Sequence, residues 1–186
     1  MNKRKSKIKP EIENEDKQKH LLAVVEALNT VHPDTIKMVK NIARGLSDIE
    51  IVHQFNQAAQ DFFKLLTRLT RETGQTDEYG VAGYMKLFNH AIGIRKDWPI
   101  DKFTLLILEF APQVYEEDEA FFLNCEIPET KVKVTNEFGI IKTEMFKQLW
   151  IKTTDQNRKA LKDVVLLLVT YAHAYFIKAV NSNMRI

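Results

Sequence analysis

The arrangement in this chain that comes nearest to a metal-binding motif is the Glu-x-x-His spacing of Glu50 and His53. Residues three apart share one face of a helix, and di-iron helical bundles combine two such pairs with two further carboxylates. No second Glu-x-x-His occurs in the sequence. A pair on the flank of a helix is therefore the favoured interpretation, and no metal or other cofactor is predicted.

Cys125 is the only cysteine, which excludes a disulfide within the chain and leaves one candidate nucleophile. A base for it would have to come from a distant part of the fold. The sequence has no phosphate-binding glycine loop, nucleophile elbow or zinc-type cysteine cluster. No catalytic residue is assigned, and an enzyme with a non-local site near Cys125 is the last of three functional alternatives.

Charge is strongly zoned along the chain, although the net charge is only +2. Residues 1–9 carry the basic side chains Lys3, Arg4, Lys5, Lys7 and Lys9. Residues 103–130 hold seven acids and no Lys or Arg, and four of these acids are consecutive, namely Glu116, Glu117, Asp118 and Glu119. Residues 131–186 hold ten basic residues against four acidic ones. Such zones predict surfaces of opposite sign, which meet within one fold or between copies.

The basic arm at residues 1–9 is typical of phosphate binding or nuclear import, and equally of a solubilising tail. Together with Arg158, Lys159 and Lys162 it predicts a phosphate-binding face, although the interleaved aromatics of single-strand binders are missing. The acidic cluster lacks the alternating ligands and central glycine of a calcium loop, so it predicts a solvated helix end or a docking surface for a basic partner.

Helices must position these groups, because the apolar residues recur with helical spacing. The pattern predicts helices at residues 17–28, 34–44, 47–73, 78–91, 102–110, 112–123, 144–151 and 155–180. Ser47 and Glu50 predict a capping box, and Asp101 predicts an N-cap. In the first helix one apolar face is assigned to Leu21, Leu22, Val25 and Leu28. Residues 131–134 alternate polar and apolar and could pair with residues 138–141, which predicts a short β-hairpin or an irregular loop.

The predicted fold class is all-α, a helical bundle of six to eight helices. Residues 1–16 are charged and poor in apolar side chains, which predicts a disordered tail before one helical domain at 17–186. The N-terminus does not resemble a secretory signal, and the longest apolar run falls far short of the roughly 20 residues of a membrane span. We therefore expect an intracellular protein, in the cytoplasm or nucleus. The predicted core comprises Val52, Phe55, Phe62, Leu66, Leu69, Phe88, Leu105, Phe146, Trp150, Val164, Leu168 and Tyr171.

The last predicted helix is apolar on nearly every face from Val164 to Ile177. A helix of this kind is surrounded by other elements or lies in an interface. Besides the acidic cluster, the side chains predicted to form such an interface are Val164, Leu168, Tyr171 and Tyr175.

The block at the end of the chain resembles the C-terminal part of small helical proteins of nucleocytoplasmic large DNA viruses. The likeness consists of a helix ending in Leu149 and Trp150, a polar break, and a long apolar helix that starts at Asn157, Arg158 and Lys159. The acidic helix ending in residues 121–123 extends it to residues 100–180. The resemblance implies a virion-associated or virus-factory protein of no known catalysis, and it transfers no functional residues.

These observations favour a non-enzymatic interaction or structural protein whose partner is itself, as a homo-oligomer, or another protein. The first alternative is a nucleic-acid-associated protein that uses the basic arm and the basic C-terminal half.

Overall fold

A computed structural model describes residues 8–74, 81–124 and 143–183, and these residues form helices joined by short turns, with no strand among them. The elements are α1 (Ile8–Thr30), α2 (Pro33–Gly45), α3 (Asp48–Glu72), α4 (Val81–Ile94), α5 (Trp98–Ile107), a 3-10 turn (Leu108–Phe110), α6 (Ala111–Tyr115), α7 (Glu119–Asn124), α8 (Thr143–Lys152) and α9 (Asp155–Asn183). With α5, the turn and α6 counted as one bent helix, the described part has eight helices. The all-α class is confirmed, and the predicted hairpin at 131–141 lies outside the described residues.

Helix α9 occupies the centre of the bundle. It packs against α3 along most of its length and also contacts α2, α5 and α6. Its fully buried side chains include Leu161, Val169, Ala172 and Ala174. Neighbours on several sides explain why this helix is apolar on more than one face.

By length and composition, α9 could also cross a membrane, because an 18-residue window within residues 155–182 has a mean hydropathy of 1.5. The core helix of a soluble bundle has the same composition, and the contacts of α9 with four other helices are of that kind. Since 33% of this window is buried within the bundle, the absence of a membrane span stays a prediction.

Helix α3 supplies the opposing apolar surface and has the capping box that its sequence predicts. The backbone N–H of Glu50 donates to Ser47 Oγ at 3.2 Å, and the backbone N–H of Ser47 donates to Glu50 Oε2 at 2.7 Å. Gly74 follows the helix with φ of +67°, a left-handed conformation that glycine adopts without strain.

Helix α1 begins at Ile8, ahead of the predicted start at residue 17. Glu, Lys and Gln dominate its early turns, and these side chains favour helix without needing a core. Pro10 lies in the first turn, where the missing N–H removes no helical hydrogen bond.

Two local predictions are wrong. Asp101 does not cap α5, because the helix starts three residues earlier with Pro99 in its first turn; its carboxylate instead binds Arg95 and accepts a hydrogen bond from the Tyr175 hydroxyl. The predicted helix at 112–123 is interrupted between α6 and α7, where Glu117 adopts φ of +53°. Asp118 then caps α7 by accepting from the backbone N–H of Ala120 at 2.9 Å.

The core agrees closely with the predicted set. Seven members are buried, namely Val52, Phe55, Leu66, Leu69, Phe88, Trp150 and Leu168. Four are partly buried, namely Phe62, Leu105, Val164 and Tyr171, and the side chain of Phe146 lies outside the described ones. Phe122 stacks on Trp150 with ring centroids 5.2 Å apart, which joins α7 to α8.

A polar contact inside the bundle joins α6 to α9. Tyr115 Oη lies 3.1 Å from His173 Nδ1, and His173 is only 3% exposed. Burial, together with the positive charge of Lys40, lowers the pKa of His173 to about 4. Burial likewise raises the pKa of Tyr115. Both groups are therefore neutral near pH 7, as a hydrogen bond in a dry environment requires.

Replacing Leu66 by Ala should lower the free energy of unfolding by about 3 kcal/mol, because the side chain is fully buried and leaves a cavity. Denaturant unfolding measures the change. Leu87→Ala on α4 is the control, since Leu87 is 48% exposed and should cost far less. Equal losses in the two variants would contradict the assignment of the core.

His173 should make stability depend on pH. The unfolded chain protonates this imidazole near pH 6.5 and the folded chain only near pH 4, so the unfolded state binds more protons between these values. The contribution of His173 is complete above pH 6.5 and falls as pH drops towards 4, by an amount on the order of 3 kcal/mol. Unfolding of the wild type and of His173→Gln, which keeps a hydrogen-bonding side chain, measures the difference. Parallel curves for the two proteins would refute the prediction.

Candidate interaction surfaces

Two of the three basic residues predicted to bind phosphate at the start of α9 are held by contacts within the chain. Arg158 donates through Nε to the carbonyl oxygen of Trp150 at 3.0 Å and pairs with Asp155 at 3.1 Å. Lys162 Nζ lies 3.3 Å from Glu117 and 3.7 Å from Glu119. Lys159 is exposed. This end of α9 therefore offers less free positive charge than its sequence indicates.

The acidic cluster forms the turn between α6 and α7. Glu117 and Glu119 face Lys162, while the carboxylate of Asp118 caps α7. Glu116 is exposed at the end of α6. Half of this cluster therefore neutralises a cation of the same chain, while Glu116 stays accessible to a partner.

The four apolar or aromatic residues predicted for an interface lie within the bundle to different degrees. Leu168 is 4% exposed. Val164, Tyr171 and Tyr175 are partly buried, and the hydroxyl of Tyr175 donates to Asp101 at 2.8 Å. A large part of this face is thus covered by helices of the same chain.

The remaining predicted groups at the N-terminus and near Cys125 cannot be placed with the others. Lys3, Arg4, Lys5, Lys7 and Cys125 lie outside the described residues. Lys9 falls in the first turn of α1.

The Glu50–His53 pair is not arranged as a metal site. The carboxylate of Glu50 accepts hydrogen bonds from Ser47, and this contact lowers its pKa. His53 is exposed and lines a cleft of about 600 Å³ beside Asn56, which donates through Nδ2 to the carbonyl oxygen of Lys96 at 2.9 Å. Within the described ranges no three His, Cys, Asp or Glu side chains are grouped as metal ligands.

An exposed apolar strip runs along the side of α1 that points away from the bundle. Val24 and Leu28 are buried against the 3-10 turn, α5 and α6, whereas Leu22 is 63% exposed and Val25 is 41% exposed. Polar residues border these two side chains. We call this strip the α1 outer face, and its exposed members are Gln18, Lys19, Leu22, Val25, Glu26 and Asn29.

A second surface is a cleft of about 410 Å³ between α1, α2 and the end of α9, here called the α2–α9 cleft. Its floor is apolar and includes Ala43, Phe176 and Ile177. Lys40 and Arg44 of α2 line its rim, and both are exposed. No acidic side chain is among the described residues that line it.

Neither surface was identified from the sequence. The pattern placed Leu21, Leu22 and Val25 on one face with Leu28, but residues 21–28 are apolar on most sides, so spacing alone could not orient α1. The cations of α2 do carry a signal, because Lys37, Lys40 and Arg44 recur at three and four residues and so share one helix face.

No protein-family model matches this chain, and no solved structure matches it. The chain is 45% identical over 168 residues to "Uncharacterized protein R465" of Acanthamoeba polyphaga mimivirus. The alignment covers 90% of this chain and 93% of the mimivirus protein. The resemblance to uncharacterised helical proteins of large DNA viruses is confirmed, and the chain belongs to the family of this mimivirus protein.

Proposed function

We propose that this chain is a non-enzymatic helical interaction protein that self-associates through the α1 outer face. The observation that carries the proposal is the 63% exposure of Leu22 between the exposed charges Lys19 and Glu26. The viral relative supports a role in an infected host cell or in a virion.

The exposed apolar side chains of α1 favour association. Leu21, Leu22 and Val25 are each more than 40% exposed, and Val25 adjoins both leucines because it lies three and four residues after them. Burying the exposed 63% of Leu22 contributes roughly 1–2 kcal/mol per copy, as a share of the roughly 1.5–3 kcal/mol for a whole leucine side chain. Adjoining apolar side chains rimmed by polar groups are typical of a contact surface.

The charges on the α1 outer face favour a second copy as the partner. Lys19 and Glu26 are seven residues apart, so they occupy the same heptad position on either side of Leu22. When two identical helices pair antiparallel about a two-fold axis, equal heptad positions face each other, and Lys19 of each copy meets Glu26 of the other. One symmetric contact then forms two ion pairs around a Leu22 centre.

Sedimentation equilibrium of the full chain tests this contact. The wild type should associate in a concentration-dependent manner, and Leu22→Glu should shift it to monomer, because the interface would then bury two unpaired carboxylates. Leu87→Glu on α4 is the matched control, since Leu87 is 48% exposed on another helix and should not change the mass. A wild type that stays monomeric at high concentration would overturn the proposal.

Charge reversal tests the antiparallel geometry. Lys19→Glu or Glu26→Lys alone should weaken association several-fold, because each places like charges opposite one another. The double variant should restore it, because the two pairs re-form with reversed sign. Additive weakening in the double variant would mean that these residues do not face each other.

A further inference from the structure

We infer that the α2–α9 cleft binds a small amphiphilic anion, a molecule with a carboxylate or phosphate head and a short apolar chain. This inference is independent of self-association through α1. It rests on the combination of free cations and an apolar floor within one concave site.

The cations at the rim are available to a ligand. Lys40 and Arg44 lie one helical turn apart on α2, and neither has a hydrogen-bond or ion-pair partner in the part of the chain that the structure describes. Like charges four residues apart repel each other, so an anion between them relieves a repulsion that the fold leaves in place.

A third cation in the cleft, Lys178, differs from these two because groups of the same chain already bind it. Lys178 Nζ donates to the carbonyl oxygen of Leu46 at 2.6 Å and lies 3.0 Å from Asp48 Oδ1. Its charge is therefore neutralised by the chain itself. Lys40 and Arg44 have no such acid beside them, which leaves the site with a net positive field.

The apolar floor of the cleft indicates that the ligand also has an apolar chain. Leu28, Ala43, Phe176 and Ile177 form an apolar base, in which Leu28 and Ala43 are buried and Phe176 and Ile177 are partly buried. The volume of about 410 Å³ falls in the range of roughly 300–1,000 Å³ typical of clefts for small ligands. A ligand with an anionic head at the rim and an apolar chain on the floor matches both the cations and the apolar surface of the cleft.

Calorimetric titration of the full chain with decanoate below its micellar concentration tests the inference. Binding should weaken at least tenfold in the double variant Lys40→Ala/Arg44→Ala. The matched control Arg71→Ala/Lys86→Ala removes one exposed Arg and one exposed Lys from α3 and α4, and it should bind as the wild type does. Equal affinity in the wild type and the Lys40/Arg44 variant would overturn the inference.

Shorter probes test the floor. Affinity should fall about two- to fourfold for each methylene removed between decanoate and hexanoate, and acetate should bind far more weakly. Ala43→Phe fills the floor and should abolish this dependence on chain length, with its melting temperature confirming that it folds. Acetate binding as tightly as decanoate would refute a role for the floor.

Vesicles distinguish a free amphiphile from a membrane surface. Flotation is measured with neutral phosphatidylcholine vesicles and with anionic vesicles that also contain phosphatidic acid. Its result is compared with the binding of soluble decanoate. Decanoate binding without flotation supports the inference. Flotation on anionic vesicles without decanoate binding would replace it with a membrane-surface contact.

Discussion

The burial of α9 against α3 is the contact on which the other contacts of the bundle depend. Ala172 and Ala174 are fully covered, and because residues two apart lie on nearly opposite sides of a helix, their burial shows that α9 is enclosed on more than one side. Once α9 lies in this groove, its polar side chains reach their partners on other elements. Tyr175 then meets Asp101 of α5, His173 meets Tyr115 of α6, and Lys178 meets the turn before α3.

Much of this architecture could be predicted from the sequence because two signals in it are strong. The capping box at Ser47 and the apolar spacing from Val52 to Leu69 determine α3 without reference to other elements. The interruption at Glu117 could not be predicted, because a left-handed glutamate has no sequence signature and is held by its surroundings. The orientation of α1 could not be predicted either, since Leu22 and Val24 are both apolar and differ only in exposure.

The candidate surfaces were harder to predict than the fold, because charge in a sequence does not reveal which charges are already paired. The sequence alone indicates that Lys162 is a free cation, but the fold places Glu117 and Glu119 beside it. These glutamates are more than half exposed, so the pairs contribute little stability. Their effect is to remove positive charge from α9, while Lys40 and Arg44 on α2 keep theirs.

The position of α9 late in the chain affects how the protein is made. Helix α3 ends at Glu72 and α9 begins at Asp155, so a ribosome adding about 5–20 residues per second exposes the apolar face of α3 for on the order of ten seconds before its partner helix emerges. During that interval the nascent chain is a substrate for chaperones and for mispairing with neighbouring nascent chains. The timing of translation thus becomes a determinant of yield that the finished bundle no longer shows.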